Sequence, residues 1–174
     1  MKLLGISGSL RRASTNTLLV REAARAFGDA DFTLGDIDLP LYNGDVEEQG
    51  IPATVQTLSD QVAAADALVI STPEYNKAPP GALKNALDWL SRFKPMPTAG
   101  KPCAVMAAAA GGAGGQRAVS TLYLMLMPFD VRLAVNPEVF IPASFDKFDA
   151  EGRLKDARSF EFLQKKMAVL RAMV

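Results

Sequence analysis

The sequence predicts an α/β fold in which a parallel sheet is covered by helices on both faces. Short runs of consecutive apolar residues, of which Leu3–Ile6 and Ala67–Ile70 are the clearest, are typical of strands buried on both sides of such a sheet. Segments with apolar residues spaced by three or four, typical of amphipathic helices, alternate with these runs. Alternating strands and helices indicate a parallel sheet, because each return to the sheet needs a crossover helix.

The first half of the chain supplies three strands and two helices. Leu3–Ile6 is the first strand, and a helix is predicted over Asn16–Phe27. Phe32–Ile37 then alternates between apolar and polar residues like a second strand. Pro52 opens the second helix, as a proline can do at a helix start, and Ala67–Ile70 is the third strand.

The second half continues the alternation with two strands and three helices. A helix begins after Pro79-Pro80, a strand is predicted over Pro102–Met106, and a helix over Gln116–Met127. Val131–Ile141 is a fifth strand region interrupted by a proline, and the last helix is predicted over Asp156–Met173. Five such strands predict a flavodoxin-like three-layer sandwich with the order 2-1-3-4-5, which binds ligands at the carboxyl ends of strands 1 and 3. A length of 174 residues predicts one domain over residues 1–174.

Composition excludes several classes of protein. Nineteen basic residues balance nineteen acidic ones, so a nucleic-acid partner and a polybasic membrane contact are not expected. The chain has no histidine, which excludes Ser-His-Asp triads, histidine-containing zinc sites and a histidine general base, and no metal site is predicted. If the protein is an enzyme, we therefore expect a cofactor to supply the difficult chemistry.

Other features of the composition bear on location and packing. One cysteine, Cys103, cannot form an internal disulfide and suits a reducing compartment. No apolar stretch approaches the ~20 residues of a membrane span, so we expect a cytoplasmic protein. Cys103 and Trp89 are expected to pack in the core or, for Trp89, at a subunit contact. Glu22, Asp36 and Asp88 are expected to be solvated or capping charges.

The loop after the first strand is rich in hydrogen-bond donors. Residues 8–17 read GSLRRASTNT and lead into a helix N-terminus, where free backbone N–H groups carry partial positive charge. Hydroxyl groups and the Arg11 guanidinium add donors for a phosphate, and no acidic residue occurs before Glu22. Ordinary helix capping by Ser14, Thr15 or Asn16 is the simpler alternative, although a cap needs only one such residue.

Two other loops follow the third and fourth strands. Residues 72–81 read TPEYNKAPPG, a stiff loop in which Tyr75 offers an aromatic face and Asn76 offers hydrogen bonds to a planar heterocycle. The Ala/Gly turn over residues 107–112 permits close approach of its backbone to a flat ligand. Taken alone, each loop is as readily interpreted as a structural connector.

Two phosphate-binding motifs are missing. No Gly-x-x-x-x-Gly-Lys-Ser/Thr segment occurs, which excludes a Walker A loop. Gly112-Ala113-Gly114 begins a dinucleotide fingerprint, but Arg117 occupies the position of its third glycine. A single phosphate is therefore favoured over a dinucleotide.

Taken together, three segments resemble the NADPH-dependent FMN reductase family, which includes quinone, azo and chromate reductases. They are GSLR at residues 8–11, PEYN at residues 73–76 and PGALKNALDW at residues 80–89. The resemblance implies that Ser9, Arg11, Ser14, Asn16 and Thr17 hold the FMN phosphate. It implies that Pro73, Glu74, Tyr75 and Asn76 line the isoalloxazine ring and that Gly111 lies near its pyrimidine edge.

The same resemblance implies an activity. Two electrons would pass from NADPH or NADH through bound FMN to a small-molecule acceptor such as a quinone, an azo compound, a flavin or a chromate-like oxyanion. The family forms homodimers or homotetramers, which is then the expected state. A flavodoxin-like FMN-binding electron carrier without NAD(P)H activity is the alternative, although such carriers tend to be acidic and this chain is neutral.

Overall fold

A computed structural model describes residues 1–174 and confirms the predicted α/β architecture. The sheet is parallel throughout, with the order β2-β1-β3-β4-β5 and a sixth strand, β6, also paired with β4. The six strands are β1 (Lys2–Ser7), β2 (Asp31–Gly35), β3 (Ala67–Thr72), β4 (Pro102–Ala108), β5 (Arg132–Leu133) and β6 (Phe140–Ile141). The predicted order 2-1-3-4-5 is therefore confirmed.

Six α-helices connect and cover these strands. They are α1 (Thr15–Phe27), α2 (Gly44–Glu48), α3 (Ala53–Ala64), α4 (Gly81–Leu90), α5 (Gln116–Leu126) and α6 (Ala157–Ala172). Two short 3₁₀ helices, Met127–Phe129 and Ser144–Asp146, complete the chain. None of the helices combines the length and the apolar character that crossing a membrane requires.

Two hydrophobic cores lie on opposite faces of the sheet. The core under α3, α4 and α5 contains 19 buried residues, and the core under α1 and α6 contains 18. β3 and β4 are buried along their whole length, which explains the apolar run Ala67–Ile70 in β3 and the apolar sequence of β4. Cys103 and Trp89 are fully buried, as expected, and the Trp89 indole donates a hydrogen bond to the Pro40 carbonyl at 2.8 Å.

The fifth strand region, Val131–Ile141, is interrupted as predicted, and the interruption divides it into two strands. These strands, β5 and β6, have two residues each and pair with opposite ends of β4, and residues 134–139 bulge between them. Lys166 on α6 is fully buried beside this bulge and donates to the carbonyls of Ala134, Val135 and Pro137 at 2.8, 3.0 and 3.1 Å. The interruption is thus stabilised by an ammonium group that the sequence pattern did not single out.

Glu22 is not the solvated charge that we expected. Its side chain is buried on α1, and the carboxylate pairs with Arg25 at 2.7 Å and Arg153 at 3.3 Å. It also accepts the Leu154 N–H at 3.1 Å. Burial alone would raise the pKa of this carboxyl, but hydrogen bonds from Arg25 and Leu154, with both arginine charges, hold it below its usual value.

Candidate functional site

A pocket opens at the carboxyl ends of β1, β3 and β4, where the predicted strand order places a ligand. Its volume is about 460 Å³ when the part open to solvent is included. Seven of the ten predicted site residues line it: Ser9, Arg11, Ser14, Asn16, Pro73, Glu74 and Tyr75. The other lining residues are Ala13, Thr15, Ala108, Ala109, Ala110, Ser144 and Phe145.

The loop between β1 and α1 forms one end of the pocket. The Ser14 hydroxyl accepts from the N–H groups of Asn16 and Thr17 at 3.2 and 3.3 Å, so it caps α1 as the simpler interpretation predicted. Capping by Ser14 nevertheless leaves other backbone N–H donors of this loop without an acceptor. The backbone N–H groups of Ala13 and Thr15, both in the pocket lining, have no acceptor within the protein. Free N–H groups at a helix start favour an anion.

Arg11 adds a full positive charge to this end of the pocket. Its side chain is exposed and takes part in none of the ion pairs of the protein. The guanidinium lies 5.7 Å from the centre of the Phe145 ring. The charge is therefore not neutralised by a carboxylate.

Asn16 has a structural role besides its place in the pocket. Its Nδ2 donates to the Ala108 carbonyl at 2.9 Å, while its Oδ1 accepts from the Ala108 N–H at 3.0 Å and the Ser71 hydroxyl at 2.8 Å. The side chain is almost fully buried. One amide thereby ties the start of α1 to the ends of β3 and β4.

Three predicted site residues lie outside the pocket lining. The Thr17 hydroxyl donates to Ser7 Oγ at 2.9 Å and faces a neighbouring groove. Asn76 is exposed at the tip of a hairpin turn, where it and Lys77 both have positive φ angles, 51° and 67°. Gly111 is exposed, and a Cβ built on it would meet no atom within 4 Å.

The loop after β3 holds its shape through its own hydrogen bonds. Tyr75 and Ala78 exchange two backbone bonds of 2.9 and 3.1 Å across the turn. Pro73 is buried, whereas Tyr75 is half exposed. Both residues line the pocket, and the hairpin bonds fix the backbone that carries the Tyr75 ring.

Glu74 links this loop to the start of α5. Its Oε2 accepts from the backbone N–H groups of Arg117 and Ala118 at 3.1 and 3.3 Å, and Oε1 lies 3.7 Å from the Arg117 guanidinium. The residue at the N-cap position of α5 is Gly115, which has no side chain to cap the helix. Glu74 therefore supplies the missing cap from 43 residues away.

We expect Glu74→Ala to lower the free energy of unfolding of the apoprotein by about 1–2 kcal/mol, because α5 loses its cap and its favourable charge. Glu74→Gln should lose less, since its amide oxygen still accepts. Chemical denaturation measures both variants. The exposed Glu161, paired with Lys165 at 2.8 Å on α6, is a matched control whose replacement by alanine should cost about half a kcal/mol or less. A Glu74→Ala effect no larger than this control would refute the capping role.

One side of the pocket is built from small residues at the end of β4 and just after it. Ala108, Ala109 and Ala110 line it, and the chain then turns through Gly114 and Gly115 with φ angles of 60° and 93°. A Cβ on Gly115 would lie 2.6 Å from the Ala107 Cβ, so glycine is required there for packing as well as for the turn. These small apolar side chains therefore line the same pocket as Tyr75.

The segment Ser144–Asp146 reaches the pocket without having been singled out from the sequence. Ser144 is buried; its N–H donates to the Ala109 carbonyl at 3.1 Å, and its hydroxyl lies 3.0 Å from that of Thr15. Phe145 projects at the pocket with 60% of its surface exposed. The polar residues after β6 follow no motif, so only the folded chain reveals this placement.

Known proteins share this sequence and this fold. An NAD(P)H-dependent FMN reductase of Pseudomonas aeruginosa is 43% identical over 176 residues, covering 100% of this chain and 95% of the relative. A quinone reductase of Escherichia coli is 37% identical over 168 residues, covering 94% and 89%. The solved structure of the flavoenzyme NAD(P)H:(acceptor) oxidoreductase FerB from Paracoccus denitrificans superposes with a TM-score of 0.89 at 32% identity, covering 99% of this chain and 96% of FerB. The profile of one family matches residues 1–146, and the chain belongs to that family, the NADPH-dependent FMN reductases.

Proposed function

We propose that residues 1–174 form one FMN-binding domain that oxidises NADPH or NADH and reduces a small molecule, with quinones as the first class of acceptor to test. The observation on which this rests is the pocket itself. It brings together free N–H groups, an arginine without an ion-pair partner, three small alanine side chains and the half-exposed Tyr75 ring. Membership of the family and the quinone reductase relative support the same activity.

The donors present at the start of α1 fit a phosphate monoester. Ser9, Arg11 and the N–H groups of Ala13 and Thr15 provide hydroxyl, guanidinium and backbone donors around one end of the pocket. We propose that Ser9, Arg11, Ser14, Asn16 and Thr17 hold the phosphate, with Asn16 and Thr17 acting mainly by fixing the loop. Their side chains already bond to Ala108, Ser71 and Ser7.

The other end of the pocket suits a planar ring. We propose that Pro73, Glu74, Tyr75 and Asn76 border the isoalloxazine and that Gly111 lies near its pyrimidine edge. The small side chains of Ala108–Ala110 leave space for a flat group. Glu74 is engaged by the N-terminus of α5, so its proposed contribution is to position the loop rather than to move a proton.

Bound FMN supplies the capacity to accept and release hydride equivalents. In this proposal, the residues that line the pocket would bind and orient it. None of the residues lining the pocket is a histidine, cysteine or lysine, and Glu74 is the sole acidic group. We propose that NAD(P)H and the acceptor use one shared open side of this pocket in turn, bordered by Tyr75 and the alanines 108–110.

The decisive experiment is steady-state oxidation of NADPH and NADH by the FMN-loaded protein at several fixed concentrations of 1,4-benzoquinone. One shared open side predicts parallel double-reciprocal lines, and loading with FAD in place of FMN should give little bound flavin. Intersecting lines would mean separate pockets for the two substrates. Bound FMN with no NAD(P)H oxidation would favour the electron-carrier alternative instead.

Arg11→Ala should weaken FMN binding roughly ten- to hundredfold, because a charge-assisted bond to the phosphate is lost. The free energy of unfolding should change by about half a kcal/mol or less, since Arg11 is exposed. Fluorescence titration with FMN, alongside thermal unfolding of the apoprotein, measures both quantities. Arg12→Ala is the matched control, because Arg12 is equally exposed on the same loop but does not line the pocket. Equal effects of the two substitutions would leave Arg11 with no specific role.

The same proposal includes a cytoplasmic location and a homodimeric or homotetrameric state. Sedimentation of the FMN-loaded protein tests the oligomeric state, and cell fractionation tests the location.

A further inference from the structure

We propose that Phe145 is a positioning residue for Arg11, holding its guanidinium ready for the phosphate of the cofactor. This inference rests on the proposed function, because it assigns the phosphate to Arg11. It adds a residue that lies outside the recognised loops and that acts through another side chain rather than on the cofactor itself.

Phe145 is held at the pocket by the residues on either side of it. The preceding Ser144 is 1% exposed, its N–H is bound by the Ala109 carbonyl at 3.1 Å, and its hydroxyl is 3.0 Å from that of Thr15. Ala143 adopts a left-handed conformation with φ of 46°, which turns the chain into this short helix. The backbone of Phe145 is therefore fixed against both Ala109 and the start of α1.

The Phe145 ring itself is not part of a core. It is 60% exposed, although phenylalanine rings are more often buried, and it belongs to neither hydrophobic cluster. The Arg11 guanidinium, 5.7 Å from the ring centre, is within the range of a cation–π attraction. An exposed aromatic ring on a fixed backbone beside a free cation is suited to restrain that cation.

An aromatic partner has an advantage over a carboxylate here. A carboxylate would occupy the N–H donors of the guanidinium and cancel its charge, so a phosphate would have to compete for both. The face of a phenylalanine ring attracts the cation and leaves its five N–H donors free. Arginine loses much rotamer freedom when it binds an anion, and a side chain already restrained loses less.

Another phenylalanine in the chain provides a comparison. Phe162 on α6 is 40% exposed and lies 5.9 Å from the Arg158 guanidinium and 5.6 Å from the Lys165 ammonium. These pairs are made within one helix and lie away from the pocket lining. Phe162→Ala thus removes a similar surface interaction without touching the site.

The test measures dissociation constants for FMN and for riboflavin, which lacks the phosphate, with the full-length protein. Phe145→Ala should weaken FMN binding about two- to fivefold, the size expected for losing an exposed cation–π contact. Phe145→Leu should show a similar loss because it keeps apolar bulk without a π face. Riboflavin affinity should stay unchanged in both variants, and Phe162→Ala should change neither affinity.

A double substitution separates positioning from direct contact. In an Arg11→Ala background, Phe145→Ala should cause no further loss of FMN affinity, because the side chain it restrains is gone. An equal loss of riboflavin and FMN affinity in Phe145→Ala, or additive effects in the double variant, would overturn the inference by making Phe145 a direct contact. Unchanged FMN affinity would overturn it as well. If the unaltered protein did not bind FMN at all, the proposed function would fail, a result that is distinct from these.

Discussion

Asn16→Ala is expected to lower the free energy of unfolding of the apoprotein by about 3 kcal/mol, through loss of buried hydrogen bonds. For a chain of this size, that loss corresponds to a fall in Tm of about 6–12 °C. FMN affinity should fall in the same variant. Denaturant unfolding, thermal unfolding and flavin titration together measure these effects.

The expected loss of unfolding free energy follows from the groups that form hydrogen bonds with the Asn16 amide. Both backbone groups of Ala108 and the hydroxyl of Ser71 bond to it, at 2.8–3.0 Å, in a site from which Asn16 exposes only 2% of its surface. β3 pairs with β4 only as far as Thr72 and Ala107, so Ala108 has no partner from β3. An alanine at position 16 would leave these polar groups buried and unpaired, a cost of about 1–3 kcal/mol for each group that water cannot reach.

Asn85→Ala is the matched control. Asn85 is also buried, accepts from the Tyr42 N–H at 2.8 Å and donates to the Pro40 carbonyl at 3.0 Å, but it lies outside the pocket lining. Its replacement should destabilise the protein and leave FMN affinity unchanged at a temperature where the fold persists. A stable Asn16→Ala variant would show that the three bonds are replaced by water. An Asn16→Ala variant that is destabilised but binds FMN normally would show that Asn16 stabilises the fold and does not contribute to FMN binding.

The strands of the central sheet were predictable because a strand buried on both faces requires consecutive apolar residues. β1, β3 and β4 are largely buried on both faces, so each contains a run of consecutive apolar residues. The short strands β5 and β6 have two residues each, too few for any periodicity to show. The helix Gly44–Glu48 buries none of its residues, so it has no amphipathic pattern to detect.

The site was predictable in its loops but not in its long-range contacts. The donor-rich loop after β1 and the proline-rich loop after β3 do meet at one pocket, because neighbouring parallel strands end at the same edge of the sheet. The dual role of Asn16 depends on Ala108, 92 residues away, and the cap supplied by Glu74 depends on Arg117, 43 residues away. No local pattern encodes such partners.

Buried charges were the least predictable feature. Glu22 and Lys166 look like ordinary polar positions on amphipathic helices, and charged residues are seldom fully buried. Their partners lie far along the chain: Leu154 is 132 residues from Glu22, and Ala134 is 32 residues from Lys166. Only the folded topology brings these groups together.

Lys166→Met is expected to destabilise the protein at pH 7 by about 2–3 kcal/mol, because methionine cannot donate to the carbonyls that the ammonium satisfies. The carbonyls of Ala134, Val135 and Pro137 have no backbone donor, so Lys166 is their one partner within the protein. The bulge between β5 and β6 should loosen as a result. Lys165→Met is the matched control, since Lys165 is the exposed neighbour on the same helix.

The stability conferred by Lys166 should also depend on pH. Burial lowers the pKa of its ammonium group from 10.5 to about 8, against the opposing influence of Cys103 and Glu138. The unfolded chain therefore binds more protons at this residue than the folded chain does between about pH 8 and pH 10.5. Stability rises with pH wherever the unfolded state binds more protons, so the contribution of Lys166 increases across that interval.

The measurement is the difference in unfolding free energy between the unaltered protein and Lys166→Met, followed from pH 7 to pH 10. The difference should grow in favour of the unaltered protein by roughly 2–3 kcal/mol, at up to about 1.4 kcal/mol per pH unit. Groups common to both proteins cancel, and burial raises the pKa of the Cys103 thiol to about 12, outside this interval. The difference in unfolding free energy between the unaltered protein and Lys165→Met should not change with pH over the same range. A flat difference for Lys166→Met would mean that the three carbonyl acceptors offset the cost of burying the charge, and that the ammonium titrates in the folded protein as it does in the unfolded chain.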